Sequence, residues 1–219
     1  MRIIVVSLMF FISGCQEVTA NHKTVSPEKP IFMEQNMTYQ LNSILPIPDD
    51  YLLVNQQDFI VNDTPASLFR YQPKNNSEYG LMGEHFSYIS DKDGMLKGFV
   101  NLNEKISDSD SLPSKDESKQ VAFDFLKKYA PDLLDKMEVH WVKPHNETIH
   151  VKTGNTTKEI VITGMKVKCR NLSDGLWFWV IVNHEKQAYV FERDIEWINF
   201  PGKRKTEKWL HDQWLSKHS

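Results

Sequence analysis

Residues 175–197 read Gly175-Leu176-Trp177-Phe178-Trp179-Val180-Ile181-Val182-Asn183-His184-Glu185-Lys186-Gln187-Ala188-Tyr189-Val190-Phe191-Glu192-Arg193-Asp194-Ile195-Glu196-Trp197. The run 176–182 is unbroken, apolar, and rich in β-branched and aromatic side chains, which marks a strand buried on both faces. Residues 183–186 form a polar turn. From Gln187 the pattern alternates. Tyr189, Phe191, Ile195 and Trp197 fall on one face and Glu192, Asp194 and Glu196 on the other. A lone hairpin is marginal in water, so this one requires further strands or a helix against it.

The flanking sequence offers both. Ser114-Lys115-Asp116-Glu117 is a capping box, in which the Ser hydroxyl and the Glu carboxylate satisfy free backbone donors. Val121, Ala122, Phe125, Leu126 and Tyr129 then form one apolar stripe, and Pro131 stops the helix. Strands are expected over 138–142, 149–153, 159–163 and 165–170. In the last of these Met165, Val167 and Cys169 oppose Lys166, Lys168 and Arg170, so Cys169 is a small core residue rather than a nucleophile. Upstream, 51–54 and 59–61 are short apolar runs, 67–71 reads as a strand, and 85–90 pairs with 95–101 around Asp91-Lys92-Asp93-Gly94. That tetrapeptide lacks the in-register oxygen ligands of a calcium loop and reads as a turn. The tail 202–219 reads as a helix with Trp209, Leu210, Gln213 and Trp214 in one stripe. The expected class is α+β: antiparallel sheet packed by helices, with a C-terminal helix.

The 219 residues are 40% hydrophobic and 25% charged, enough for a core in one domain or two small ones. The formal net charge is −3 and no basic patch stands out, so nucleic acid is not an expected partner. Arg2 precedes a ten-residue apolar run that is too short to span a bilayer and ends in Ile12-Ser13-Gly14-Cys15. This stretch resembles the lipobox of bacterial lipoproteins. The resemblance implies cleavage before Cys15, lipidation of Cys15 and a bilayer anchor. It leaves Cys169 without a disulfide partner. Gln16 after the cysteine implies sorting to the outer membrane, facing the periplasm, if the cell is Gram-negative. Residues 16–30 are polar and read as a tether.

The helix at 115–129, with the aromatic strand 177–182 turning into 188–193, resembles the PepSY domain of peptidase propeptides. The hairpin 86–90 and 96–101 resembles a first such unit. The expected division is a signal peptide (1–14), an anchor and tether (15–50), two tandem PepSY-like units (51–110 and 111–200) and a tail helix (201–219). The resemblance covers about 67–200. It implies a non-enzymatic binding or peptidase-restraining role and carries over no catalytic residue.

No His-Glu-x-x-His, Gly-x-Ser-x-Gly, Cys-x-x-Cys or phosphate-cradling glycine loop is present, and no cofactor is expected. Glu84-His85 and His211-Asp212 are adjacent pairs, and neighbours on a strand point apart. His140, His145 and His150 recur every five residues. A hairpin turning near His145 would set His140 opposite His150 as two candidate metal ligands, with no third or fourth in view. Among the tryptophans, Trp197, Trp209 and Trp214 are the candidates for a partner surface, although a tail helix closing its own sheet would bury the latter two. The function expected is a lipid-anchored envelope protein that binds another protein, propeptide-like and without catalysis. The alternatives are an immunity lipoprotein that neutralises a periplasmic toxin, and a hydrolase with an unrecognised site.

Overall fold

The computed structural model describes residues 44–74, 80–107, 111–153, 155–198, 200 and 202–218. Cys15, the leader and most of the tether lie outside the described residues. Among the described residues no helix is long and apolar enough to cross a membrane.

β1 (Tyr51–Val61) and β2 (Thr64–Pro73) are joined by Asn62-Asp63, with φ of 46° and 64°. Two left-handed residues make the type I′ turn that matches strand twist, and Asn and Asp tolerate that conformation best after Gly. The short apolar runs at 51–54 and 59–61 lie together in one strand, β1. β3 (His85–Asp91) and β4 (Leu96–Leu102) form the expected hairpin. At its turn, Asp91 Oδ1 accepts from the backbone N–H groups of Asp93 and Met95 at 3.0 and 2.9 Å, and Gly94 takes φ 81°.

α1 (Lys115–Tyr129) runs where the capping box places it. Ser114 Oγ accepts from Glu117 N at 3.3 Å, and Glu117 Oε2 accepts from Ser114 N at 2.8 Å. Ser114→Ala removes one of these bonds and is expected to lower stability by about 1 kcal/mol. Urea unfolding checks this. An unchanged midpoint and slope would mean that the helix does not depend on its cap.

Downstream lie β5 (Met137–Thr153), β6 (Thr156–Asn171), β7 (Trp177–Val182) and β8 (Ala188–Ile195). The four short strands expected between 138 and 170 are two long ones, paired continuously from Met137↔Asn171 to Thr153↔Thr156 with one bulge at His140. The sheet order is β1-β2-β3-β4-β8-β7-β6-β5. Two four-stranded meanders thus meet edge to edge, through Gly98↔Glu192, Phe99↔Phe191 and Val100↔Val190.

The α+β expectation is corrected by this arrangement. The fold is mostly antiparallel β: one continuous eight-stranded sheet carries the core, and the two α-helices among the described residues are short. The physical reason is the β4–β8 junction. It lets the inner edges of both meanders satisfy their backbone groups in one ladder, so the two halves form one sheet with shared faces rather than two separate sheet-and-helix units.

The two faces have separate cores. On one, Phe86, Tyr88, Phe99, Val167, Cys169, Phe178, Val180 and Phe191 pack with Ala122, Phe125 and Leu126 of α1. On the other, Leu68, Ile89, Val100, Trp179, Ile181 and Val190 pack with Trp209, Leu210 and Leu215 of the tail. Ile149, Val151, Ile160 and Ile162 join this second core beside Leu102 and Ile106. The far half of the β5–β6 hairpin therefore curls over the tail face, and His150 N donates to Met82 O at 2.7 Å. Gly164 sits where the hairpin meets Tyr189. A Cβ there would come within 2.5 Å of the Tyr189 ring and 2.8 Å of Val182 O, so the strand passes only because the residue is glycine.

The alternation expected in β8 is corrected by two bulges against β7, one at Tyr189 and one between Glu192 and Ile195. Asp194 takes φ 59° in the second. Tyr189 consequently packs on the tail face with Ile195, while Phe191 packs under α1. The tail is corrected as well. Within 202–218 it is not one helix but a short strand, β10 (Lys203–Arg204), paired with β9 (Trp197–Ile198), then a strap, then α2 (Asp212–His218). The Thr206 hydroxyl accepts from Glu196 N at 2.7 Å and pins the strap to the end of β8.

Candidate functional site: a charged cleft between the curled hairpin and the tail

Curling the β5–β6 hairpin over one face and laying the tail beside it leaves a cleft between them. One lobe, about 430 Å³, is lined by His145, Glu147, Lys166, Trp179, Glu192, Trp197, Lys203, Arg204, Lys208 and His211. The adjoining lobe, about 310 Å³, shares His145, Glu147, Lys208 and His211 and adds His85 and Asp212. Even-numbered β6 residues and odd-numbered residues 143–151 of β5 face this side, which is how Lys166, His145 and Glu147 come to converge.

The floor of the larger lobe is a closed polar unit. Glu192 accepts from Trp179 Nε1 at 3.1 Å and from Arg204 Nη2 at 2.7 Å, with both charged side chains almost fully buried. Lys166 Nζ stands 3.7 Å above the Trp179 ring. Burial pulls its ammonium down to about 8, against the opposing pull of Glu192 and Glu147. Burial works against the Glu147 carboxylate too, yet the His145 ring at 3.2 Å, with the His211 and Lys166 charges, holds it below its ordinary range.

The smaller lobe ends on a buried trio. Arg70 Nη1 donates to Asp212 Oδ1 at 2.6 Å, and Met82 N donates to Asp212 Oδ2. His85 is 2% exposed, and its Nδ1 lies 2.9 Å from Gly83 O. Arg70 Nη2, His85 Nε2 and Ser87 Oγ are buried with no hydrogen-bond partner among the described residues. Burial, with the Arg70 charge beside it, pushes His85 down to about 4.

A pH dependence follows. The unfolded chain binds a proton at His85 below its ordinary value of about 6.5, whereas the folded protein does so only below about 4. Stability is therefore lost as pH falls through that window, by about 3 kcal/mol in total from this residue. His85→Gln is expected to flatten the window relative to wild type in urea unfolding at pH 7 and pH 4.5. Parallel losses in both proteins would refute the assignment.

Beside the cleft runs a second feature, a strip of tryptophans and cations on β5, β6, β7 and β9. Lys168 Nζ lies 4.2 Å from the Trp177 ring centre, 4.5 Å from Trp197 and 5.6 Å from Trp141. Lys143 and Arg170 flank Trp141 and Trp177, each at 5.7 Å. Trp197 is 36% exposed.

The sequence candidates separate accordingly. Trp197 lies on this strip. Trp209 is in the tail-face core at 7% exposure, and Trp214 is half-buried, 5.4 Å from Phe59. The hairpin does not turn near His145, which pairs with Gly164 in mid-strand, so His140 and His150 lie ten residues apart on one strand rather than opposite each other. His140 packs edge-on to Trp177 at 5.0 Å, and His150 faces Glu159 at 3.8 Å. Among the described residues no group of three His, Cys, Asp or Glu side chains is placed to hold a metal ion. The adjacent pairs Glu84-His85 and His211-Asp212, which mean nothing locally, meet across the fold, with His85, His211 and Asp212 all lining the smaller lobe. Sequence reading missed Arg70, Glu147, Lys166, Glu192 and Arg204. The available signal was a charge inside an apolar strand, as with Arg70 between Phe69 and Tyr71 and Glu192 after Phe191.

The fold and cleft define a mostly β protein built on an eight-stranded sheet, with a charged cleft formed by a hairpin and a C-terminal strap. Residues 34–163 match the family described as the YcdB, YcdC repeated domain, and the chain belongs to that family. The matched range stops within β6, so Lys166, Glu192 and the whole tail lie beyond it. No curated protein and no solved structure matches the chain.

Proposed function

We propose that this is a non-catalytic, lipid-anchored protein of the cell envelope that binds another protein, in the manner of a PepSY-like, peptidase-restraining domain. The tryptophan–cation strip supports this reading. Tryptophan and arginine are the side chains that most often dominate interface energetics. Here Trp141, Trp177 and Trp197 are held in place by the cations between them. The partner such a strip suits carries acidic groups that compete for Lys168 and Arg170, beside an apolar patch that covers Trp197.

The test is recovery of a partner from envelope extract by the tagged full-length protein. Trp197→Ala combined with Lys168→Glu is expected to abolish recovery at unchanged folded yield. Equal recovery would remove the strip from the reading. The anchor is tested separately. Cys15→Ser is expected to lose fatty-acid labelling and leave the membrane fraction, and labelling as strong as wild type would refute the anchor.

The hydrolase reading is favoured by one observation, the convergence of His85, His145, Glu147, His211 and Asp212 on one cleft. Turnover of an ester, amide or glycoside that Glu147→Gln abolishes would replace the binding reading with this one.

A further inference from the structure

The cations of the larger lobe are unevenly matched. Lys166, Lys203, Arg204 and Lys208 line it against only two carboxylates, Glu147 and Glu192. Arg204 is committed through Nε and Nη2: Nη2 donates to Glu192 at 2.7 Å and to the carbonyl oxygen of Glu207 at 2.7 Å, and Nε donates to that of Thr206 at 2.8 Å. Glu147 is taken by His145. Among the described residues no hydrogen bond or ion pair ends on the ammonium groups of Lys166, Lys203 or Lys208. Lys166 is the telling one. It is half-buried over the Trp179 ring, and a ring face attracts the charge but leaves its three N–H donors without a lone pair.

We propose that this lobe binds a phosphate group, free or carried by a small molecule, seated between Lys166, Lys203 and Lys208 with His211 at its side. The three ammoniums come from β6, β10 and the strap before α2, so they approach from different elements of the fold. Point charges arriving from several directions suit a tetrahedral oxyanion. A planar carboxylate is best held by an arginine fork, and Arg204 already commits the Nε–Nη2 side of its fork to Glu192 and the strap. The charges agree. Four cations against two carboxylates leave an excess of two, and a phosphate monoester carries about −1.5 to −2 at pH 7. A dianion would also relieve the cost that burial imposes on the charged form of Lys166. At about 430 Å³ the lobe falls in the range of small-molecule sites. Trp197 on its rim offers an apolar face to whatever carries the phosphate.

The test uses the full-length protein in detergent, with inorganic phosphate, glucose 6-phosphate and glucose as probes. Calorimetry reads binding, and NMR of the lysine side chains reads the titration of Lys166. Saturable binding of a phosphate-bearing probe is expected, with none for glucose, and with the Lys166 titration moving up from about 8. Lys166→Met is expected to weaken binding roughly tenfold or more, Lys166→Arg to keep most of it, and Lys127→Met, exposed on α1 across the sheet, to change nothing. Equal affinity for the two phosphate probes supports the site with free phosphate as its source. Tighter binding of glucose 6-phosphate, with the gain lost in Trp197→Ala, supports it with a sugar phosphate as the source. No saturable binding of either, equal affinity in Lys166→Met, or a Lys166 titration unmoved at saturation would each overturn the proposal. None of these outcomes bears on recovery of a protein partner by the strip.

Discussion

Asp212→Ala lowers the stability of the protein by about 3–5 kcal/mol, the usual cost of removing one partner from a buried ion pair. Its partner Arg70 lies on β2, is 2% exposed and has Asp212 as its one carboxylate within ion-pair distance among the described residues. Without Asp212 a guanidinium stays buried beside His85 and Ser87, whose own unpaired atoms offer no counter-charge. The Met82 N–H loses its acceptor in the same step. Urea unfolding measures the loss. The double variant Arg70→Met with Asp212→Leu is expected to recover most of it, because no charge is then left in the core. A loss below about 1 kcal/mol would mean that Arg70 reaches water once the tail loosens.

Trp209→Ala is expected to cost a similar amount, about 3–5 kcal/mol, through the cavity it opens in the tail-face core. Trp209 is 7% exposed and lies 6.0 Å from the Phe59 ring. The next residue, Leu210, fills the place a side chain on Gly98 would occupy: a Cβ there would meet Leu210 Cδ1 at 2.9 Å. Deleting 202–219 removes both contacts with the Arg70 pair and should lower the melting temperature at least as far. Trp214→Ala, at a half-buried site with its indole N–H bonded to Glu207, should cost much less. Thermal unfolding of the three variants gives the order. Equal melting temperatures with and without the tail would return Trp209 and Trp214 to the partner surface. Trp209 and Asp212 hold the same strap, so their losses are not expected to add. The tail also carries Arg204, Lys208 and His211 into the cleft, so whatever loosens it disperses that site as well.

The parts of this fold that were legible in the sequence are those set by near neighbours. The capping box at Ser114 and Glu117, the turn at Asp91 to Gly94 and the pairing of Trp177–Val182 with the strand after Lys186 depend on residues a few positions apart. Their backbone chemistry is complete within the local chain. Periodicity also placed Lys166, Lys168 and Arg170 on the face opposite Cys169 correctly. It failed where a bulge resets it, as at Tyr189 and Asp194, because one inserted residue reverses every later side chain and leaves no compositional mark.

Period two says which residues share a face, but it does not say which strand lies alongside or what covers the face. The β4–β8 junction that makes one sheet of two meanders, the curl of the β5–β6 hairpin and the docking of the tail were decided by burial over the whole chain. The cleft exists only as their product. Arg70 and Asp212 are 142 positions apart and meet at 2.6 Å. Each looks like an isolated charge in the sequence, because the pairing that makes its burial tolerable comes from another element and has no local pattern to read.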